Sequence, residues 1–286
     1  MKIGFYSVVL REQPLEAVAD WAVANGFQTL EIDANRHLPE LEKAAMACRR
    51  VRDRGLDVCS IVYFGALLDA NPTREHERRV KARECFFRAT EANVPHVTFF
   101  AGRNPERPAA EDYASLAGFL SELFSSVPNA ETNVVFENWP GFSKDWLVTT
   151  PAGWQELFSR TDDRRVGVEF DPSHLLPQGI EVLPAFQAVA DRAFLIHAKD
   201  VQLRPERVQV TGYYGDWWSF RLPGDGDVQW PSLFEAVANR GCAKAVIIEH
   251  EDAGYGWPNG PLELRQRGLL HARSAVGKAL STLRSS

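Results

Sequence analysis

The feature that most narrows the fold is a recurrence. Eight short runs rich in Val, Ile and Phe are each followed by a longer amphipathic stretch. The runs are KIGFYS (2–7), QTLEID (28–33), DVCSIVYF (57–64), HVTFFA (96–101), NVVFEN (133–138), RVGVEF (165–170), AFLIHA (193–198) and AVIIEH (245–250). Most are near-continuous apolar strings, as strands covered on both faces require. Between them, PLEAVADWAVANG has Pro14 in its first turn and Gly26 as a stop, LPELEKAAMACRRVRDRG ends at Gly55, and TREHERRVKARECFFRATEAN carries its apolar residues three or four apart. Further helices fit 110–126, 151–160, 180–190, 230–240 and 261–282, each with one face to bury. Strict alternation of eight strands and eight helices predicts a (β/α)8 barrel, a single domain over 1–286, with a doubly wound open sheet as the competitor. Neither G-x-G-x-x-G nor G-x-x-x-x-G-K-[ST] occurs, so the phosphate-cradling loops of the open-sheet alternative are missing. The 286 residues match one barrel of roughly 250, and no linker divides the chain.

Charge and cysteine usage remove other classes. Lys+Arg 32 against Asp+Glu 38 gives −6 at pH 7, an excess that repels phosphate backbones, so no nucleic-acid partner is expected. No stretch approaches the ~20 apolar residues of a membrane span. The opening MKIGFYSVVL runs into a strand pattern without a basic leader, so the expected location is the cytoplasm, with no membrane partner. Cys48, Cys59, Cys85 and Cys242 form no CxxC pair and read as small hydrophobes in a reducing compartment.

The longest interruption is 199–230, containing TGYYGDWWSFRLPGDGDVQWP. A segment so dense in aromatics and glycine either caps an active site or packs Trp217 and Trp218 against the barrel or a neighbouring subunit. Helix faces that cover strands can also pair copies. A homo-oligomer, or a hetero-oligomer with a small partner subunit, is therefore compatible with the sequence.

The chemistry lies at the strand ends, where the C-terminal rim of a βα barrel opens onto its active site. Glu137 closes the fifth strand, Asp171 follows the sixth, His197 ends the seventh and Glu249 the eighth. Buried ionisable groups are costly unless they meet a partner or a metal. Three carboxylates and one imidazole on one rim suit a hard divalent cation: Mn²⁺ foremost, with Mg²⁺, Co²⁺ or Zn²⁺ also compatible.

These residues resemble the sugar isomerase/epimerase-like, xylose isomerase-like TIM barrels, which include ketose 3-epimerases, hydroxypyruvate isomerase and inosose dehydratase. The family pattern of Glu, Asp-x-x-His, His and Glu falls on Glu137, Asp171 with His174, His197, and Glu249. The resemblance implies Glu137, Asp171, His197 and Glu249 as metal ligands, Glu137 and Glu249 as the acid/base pair, and His174 at a substrate hydroxyl.

General chemistry agrees. A proton beside a carbonyl becomes removable when a divalent cation stabilises the developing enediolate, and a carboxylate then serves as base. Return of the proton to the other face epimerises, return to the neighbouring carbon isomerises, and loss of a β-substituent makes the enzyme a lyase. The leading expectation is a metal-dependent sugar isomerase or epimerase acting on a small carbohydrate. The alternative is a lyase on a keto-sugar or inosose, as a dehydratase or in 3-oxo-glycoside cleavage including C-deglycosylation. A repair endonuclease of the related barrel type would need further ligands, and the fourth strand ends in FFAGR without a histidine.

Expected substrate contacts are Tyr6, Glu31, Tyr63, Asn138, Trp139, Lys199 and Arg221. Asp33 shares a face with Glu31, and Lys199 shares one with His197. Lys199 could neutralise an enolate or pair with Asp200 or Glu251; His250 should point away from Glu249 into a supporting role. His37, His76, His96 and His271 lie away from these strand ends.

Overall fold

In the computed structural model, which describes residues 1–240 and 242–284, the eight apolar runs form the parallel strands of one closed barrel. These are β1 (Lys2–Tyr6), β2 (Thr29–Asp33), β3 (Asp57–Leu68), β4 (His96–Gly102), β5 (Asn133–Glu137), β6 (Val166–Phe170), β7 (Ala193–Ala198) and β10 (Ala245–Ile248). Two strands outside the barrel, β8 (Asp200–Leu203) and β9 (Trp218–Arg221), come from the insertion. Closure is made where Lys2–Phe5 of β1 runs alongside Ala245–Ile248 of β10, so the barrel has no unpaired edge. On the other side of β1, facing β2, position 4 is glycine because any Cβ there would strike the backbone of Thr29.

The helices fall where the amphipathic stretches place them, including Pro72–Glu91, Ala109–Ser126, Pro151–Ser159 and Leu262–Ser281. Asn71 and Thr150 cap two of them by accepting the N–H of Arg74 and Gly153, each with a proline in the first turn. Leu116, Leu120 and Leu123 lie on one helical face and are fully buried against the strands. Among the described residues, no helix is long and apolar enough to cross a membrane.

The barrel interior is split by polarity. One layer is apolar, built from residues such as Cys59, Val62, Val135, Leu195 and Ile247. Towards the C-terminal strand ends it becomes ionic. Alternation along a strand puts residues i and i+2 on one side, which groups Glu169 with Asp171, His197 with Lys199, and Glu249 with Glu251.

Two departures from the sequence expectation matter for the site. β3 extends to Leu68, and its ladder with β4 slips between Val62 and Ala66, an irregularity that re-aims the side chains at 63–65. The 199–230 insertion is also ordered: β8 and β9 pair antiparallel around the short helix Pro205–Thr211. Trp217 is buried within this insertion, its indole donating to the Tyr213 carbonyl at 2.9 Å, while Phe220 reaches the cavity at the barrel mouth.

Asp200 ties the start of the insertion to its end. Its buried carboxylate accepts the backbone N–H groups of Gly224 (2.9 Å) and Val228 (3.0 Å) and the indole N–H of Trp230 (2.8 Å). Burial pushes this carboxyl up from its ordinary range, against those donors. Asp200→Ala strands them, and is expected to lower the unfolding free energy in urea by about 3 kcal/mol. A loss of less than about 0.5 kcal/mol would contradict this role.

Candidate metal centre and substrate cavity

β5, β6, β7 and β10 are consecutive neighbours in the barrel, so the ends of four adjacent strands deliver their side chains to one point. Glu137, Asp171, His174 and Glu249 each bring a ligand atom within 4.8 Å of the others, and all four are buried. His197 borders this set. Its Nδ1 lies 3.2 Å from Glu249 Oε2 and 3.7 Å from Glu137 Oε1. Glu137, Asp171 and Glu249 of the expected quartet are thus brought together with His174 as the fourth donor, its Nε2 3.3 Å from Glu137 and 3.4 Å from Asp171, while His197 at the border groups with Glu31 and Glu169.

The other face of His197 explains its orientation. Nε2 lies 2.7 Å from Glu31 Oε2 and 3.0 Å from Glu169 Oε1, both fully buried. An ionised carboxylate only accepts, so Nε2 carries the proton and donates to Glu31, leaving Nδ1 to face the quartet. Thr98 donates to Glu31 Oε1 at 3.3 Å and contacts Ser60 at 2.9 Å, fixing the carboxylate in turn.

Both carboxylate oxygens of Glu169 are buried without a hydrogen-bond partner, and so are three further atoms: Glu137 Oε1, Asp171 Oδ2 and His197 Nδ1. The latter three belong to three of the four residues the sequence marks as metal ligands, and a divalent cation is the species that satisfies two carboxylate oxygens and an imidazole nitrogen together. The residues present therefore fit such an ion, which Glu137, Asp171, His197 and Glu249 would hold with His174 beside them. Metal-ligating histidines commonly donate their second nitrogen to a carboxylate, as His197 does to Glu31.

Lys199 supplies fixed positive charge. Its buried ammonium donates to Glu249 Oε2 at 2.6 Å and lies 3.1 Å from Asp171 Oδ2, 3.3 Å from Glu251 Oε2 and 3.1 Å from His174 Nε2. Burial would lower its pKa, but Asp171, Glu249 and Glu251 raise it well above the usual lysine value. Burial alone would raise Glu137 as well; the imidazoles of His174 and His197 and the Lys199 charge outweigh it and hold the carboxyl low. Glu249 is held low against burial, chiefly by Lys199. Burial and the neighbouring Glu31 push Glu169 well up from the ordinary carboxylate range. His197 is driven well up, against burial, by Glu169, Glu31 and Glu249.

A cavity of about 810 Å³ opens onto this cluster, lined by Tyr6, Asp33, Glu137, Trp139, His174, Lys199 and Glu249 among others. Tyr6 donates to Asp33 Oδ2 at 2.8 Å, and its ring stacks over His197 at 6.3 Å. Four expected substrate contacts are placed otherwise. Glu31 lies beneath His197, out of reach of the cavity. Asn138 clamps the backbone of Asp171, donating to its carbonyl and accepting its N–H at 2.8 Å each. Tyr63 lines an adjoining cavity, and Arg221 sits 3.6 Å from Asp252. The expected Asp200 partner of Lys199 faces the insertion, whereas Glu251 is a partner. His250 points away from the cluster, as expected, and accepts the Asp252 N–H at 3.3 Å.

Sequence reasoning missed Glu169 and the aromatic residues Phe64, Phe142, Phe220 and Trp257 that line the cavity. The period-two rule applied backwards from Asp171 would have found Glu169; nothing local singles out the rings.

Comparison with known proteins settles the kinship. Residues 19–275 match the family described as Xylose isomerase-like TIM barrel. The chain belongs to that family. It is 25% identical over 258 residues to an inosose dehydratase of Clostridium botulinum, covering 82% of this chain and 81% of that one. Its fold is that of the IolI protein, solved with a bound zinc atom (TM-score 0.77, 16% identity, 99% of both chains). It is equally that of D-psicose 3-epimerase from Clostridium cellulolyticum H10 (TM-score 0.73, 15% identity, 98% and 99%). The relatives with which it shares this family are sugar-modifying enzymes, and the buried acidic and histidine cluster has the composition of a divalent-metal site.

Two outcomes check the ligand assignment by titration calorimetry with Mn²⁺. Asp171→Asn and Glu31→Gln should each weaken binding, by about 10-fold or more, the first by removing a ligand and the second by freeing His197 to turn. The carboxylates around His197 favour its protonated form, and proton and cation compete for Nδ1, so affinity should fall as pH is lowered. A pH-independent affinity would remove His197 from the site.

Proposed function

We propose that the protein is a divalent-cation-dependent enzyme that removes a proton from the carbon beside the carbonyl of a polyhydroxylated ketone, with Glu137 and Glu249 as the acid/base pair. The observation that carries this reading is the buried cluster of Glu137, Asp171, His174 and Glu249, three of which line an open cavity, with unpartnered atoms on Glu137 and Asp171. A bound cation would supply the electrostatic help that makes such a C–H bond acidic. Manganese is the preferred ion on the hardness of the ligand set, and zinc is supported by the IolI likeness.

The chain's own residues do the rest. Lys199 keeps Glu249 ionised, and therefore able to accept a proton, by donating to it at 2.6 Å. Glu137 and Glu249 stand on strands separated by β6 and β7, so they approach the cavity from different parts of the rim. One carboxylate takes the proton, and the other, after picking up a proton from solvent, delivers it to the opposite face or to the neighbouring carbon, which inverts the carbon or moves the carbonyl. His174 stands between Glu137 and Lys199, where its imidazole can bind a hydroxyl of the ketone. Asp33, buried beside Tyr6, offers a second hydroxyl acceptor.

A second reading, elimination of water or a larger β-substituent by the same groups, is favoured by the inosose dehydratase relatives. The two differ in product: an epimer or isomer keeps every atom of the substrate, whereas a lyase releases a second molecule.

Incubation with inososes and ketohexoses in D₂O, followed by NMR, is expected to show deuterium entering the carbon beside the carbonyl. Glu249→Gln should slow this by about 10²–10⁴-fold with the fold and thermal transition retained. Near-normal exchange in that variant would remove Glu249 from the acid/base role.

A further inference from the structure

The cavity has two unlike walls. Its floor is ionic, and one side is built of rings: Phe64, Phe100, Trp139 and Phe142. These are in mutual contact. Trp139 lies 5.4 Å from Phe64, 5.8 Å from Phe100 and 4.9 Å from Phe142, with Phe64 and Phe100 at 5.1 Å. Trp139 follows Glu137 by two residues, so the wall begins about 7 Å along the chain from a ligand carboxylate.

Two of these rings face water. Phe142 is 84% exposed and Phe64 is 45% exposed, although both line the same cavity as Glu137 and Glu249. Exposed aromatic surface beside a polar site is costly in the free protein and marks a place that a ligand covers. The apolar face of one sugar ring needs a single aromatic platform, and Trp139 alone would serve; four contiguous rings provide more. The volume points the same way: about 810 Å³ lies in the upper part of the roughly 300–1,000 Å³ range of drug-sized ligand sites. Phe64, Phe100 and Phe142 also line a second cavity of about 580 Å³, so the rings have open space on more than one side.

We propose that the substrate is a two-part molecule, a polyhydroxylated ring seated on the ionic floor and carrying a flat aromatic substituent that stacks on the wall of Phe64, Phe100, Trp139 and Phe142. Offset and edge-to-face ring contacts then supply affinity that a bare sugar lacks. The inference rests on the carbohydrate reading of the floor and adds the substituent. If the substrate undergoes elimination, the aromatic portion is the group placed to leave, departing with the bonding electron pair and a proton.

The test compares methyl β-D-glucopyranoside with 2-naphthyl β-D-glucopyranoside, and 2-naphthol alone, by calorimetry on the Mn²⁺-loaded full chain. The naphthyl glycoside should bind about tenfold or more tightly than the methyl glycoside, and Phe142→Ala should narrow that ratio by a similar factor. Trp139 fluorescence should respond to the naphthyl but not the methyl compound, read as the signal lost in Trp139→Phe. Equal affinities, or no saturable binding of either glycoside, would overturn the proposal. If naphthol binds as well as its glycoside, the wall is aromatic-binding but the carbohydrate reading of the floor fails, which overturns the two-part substrate. A second copy of the chain covering the rings would instead appear as a dimer in sedimentation that Phe142→Ala dissociates, with the glycoside ratio unchanged, and would overturn it as well.

Discussion

Carboxylates crowded out of water repel one another, and the organisation of this barrel follows from answering that repulsion. Glu31, Glu137, Glu169, Asp171 and Glu249 meet in one interior, all buried. Side by side in a low dielectric they cannot all be ionised without positive charge among them. Lys199 provides one compensating charge and His197 a second, while Glu169 is driven towards its protonated form. Even so, Glu137 Oε1, Asp171 Oδ2, His197 Nδ1 and both oxygens of Glu169 are left without a hydrogen bond, and a divalent cation beside Glu137 and Asp171 would answer the negative charge that remains.

Two layers of support keep those atoms in place. Below, the Ser60–Thr98–Glu31 chain fixes the tautomer and rotation of His197. Beside it, the double hydrogen bond from Asn138 holds the Asp171 backbone where β6 ends, and Asp171 itself caps the following turn by accepting the Ser173 N–H at 2.8 Å. Neither Glu31 nor Asn138 touches the cavity, yet each sets the position of a ligand. Farther out, Asp200 ties down the insertion whose strand β9 brings Phe220 over Lys199 at 4.7 Å.

The barrel and the four strand-end donors were legible because both are one-dimensional patterns. Apolar strings of six to eight residues alternate with amphipathic stretches, and the polar residues interrupt them at strand ends. The depth of a residue along its strand was not legible in the same way. Glu31 and Asp33 share a face, so alternation places them together, but only the register with β1 and β3 puts Glu31 below His197 and Asp33 at the cavity. Tyr63 was misplaced for a related reason: the ladder slips between Val62 and Ala66, and Phe64 rather than Tyr63 reaches the substrate cavity. Arg221 lay in a segment whose course depends on Asp200 and its distant donors, a contact no local pattern reveals.

Crystals soaked in manganese, with diffraction recorded at its absorption edge, address the central claim most directly. The account expects one anomalous peak about 2.0–2.3 Å from oxygens of Glu137, Asp171 and Glu249 and from Nδ1 of His197, with His197 Nε2 still on Glu31. A peak elsewhere, or His197 turned away from an ion held by the other three, would contradict it.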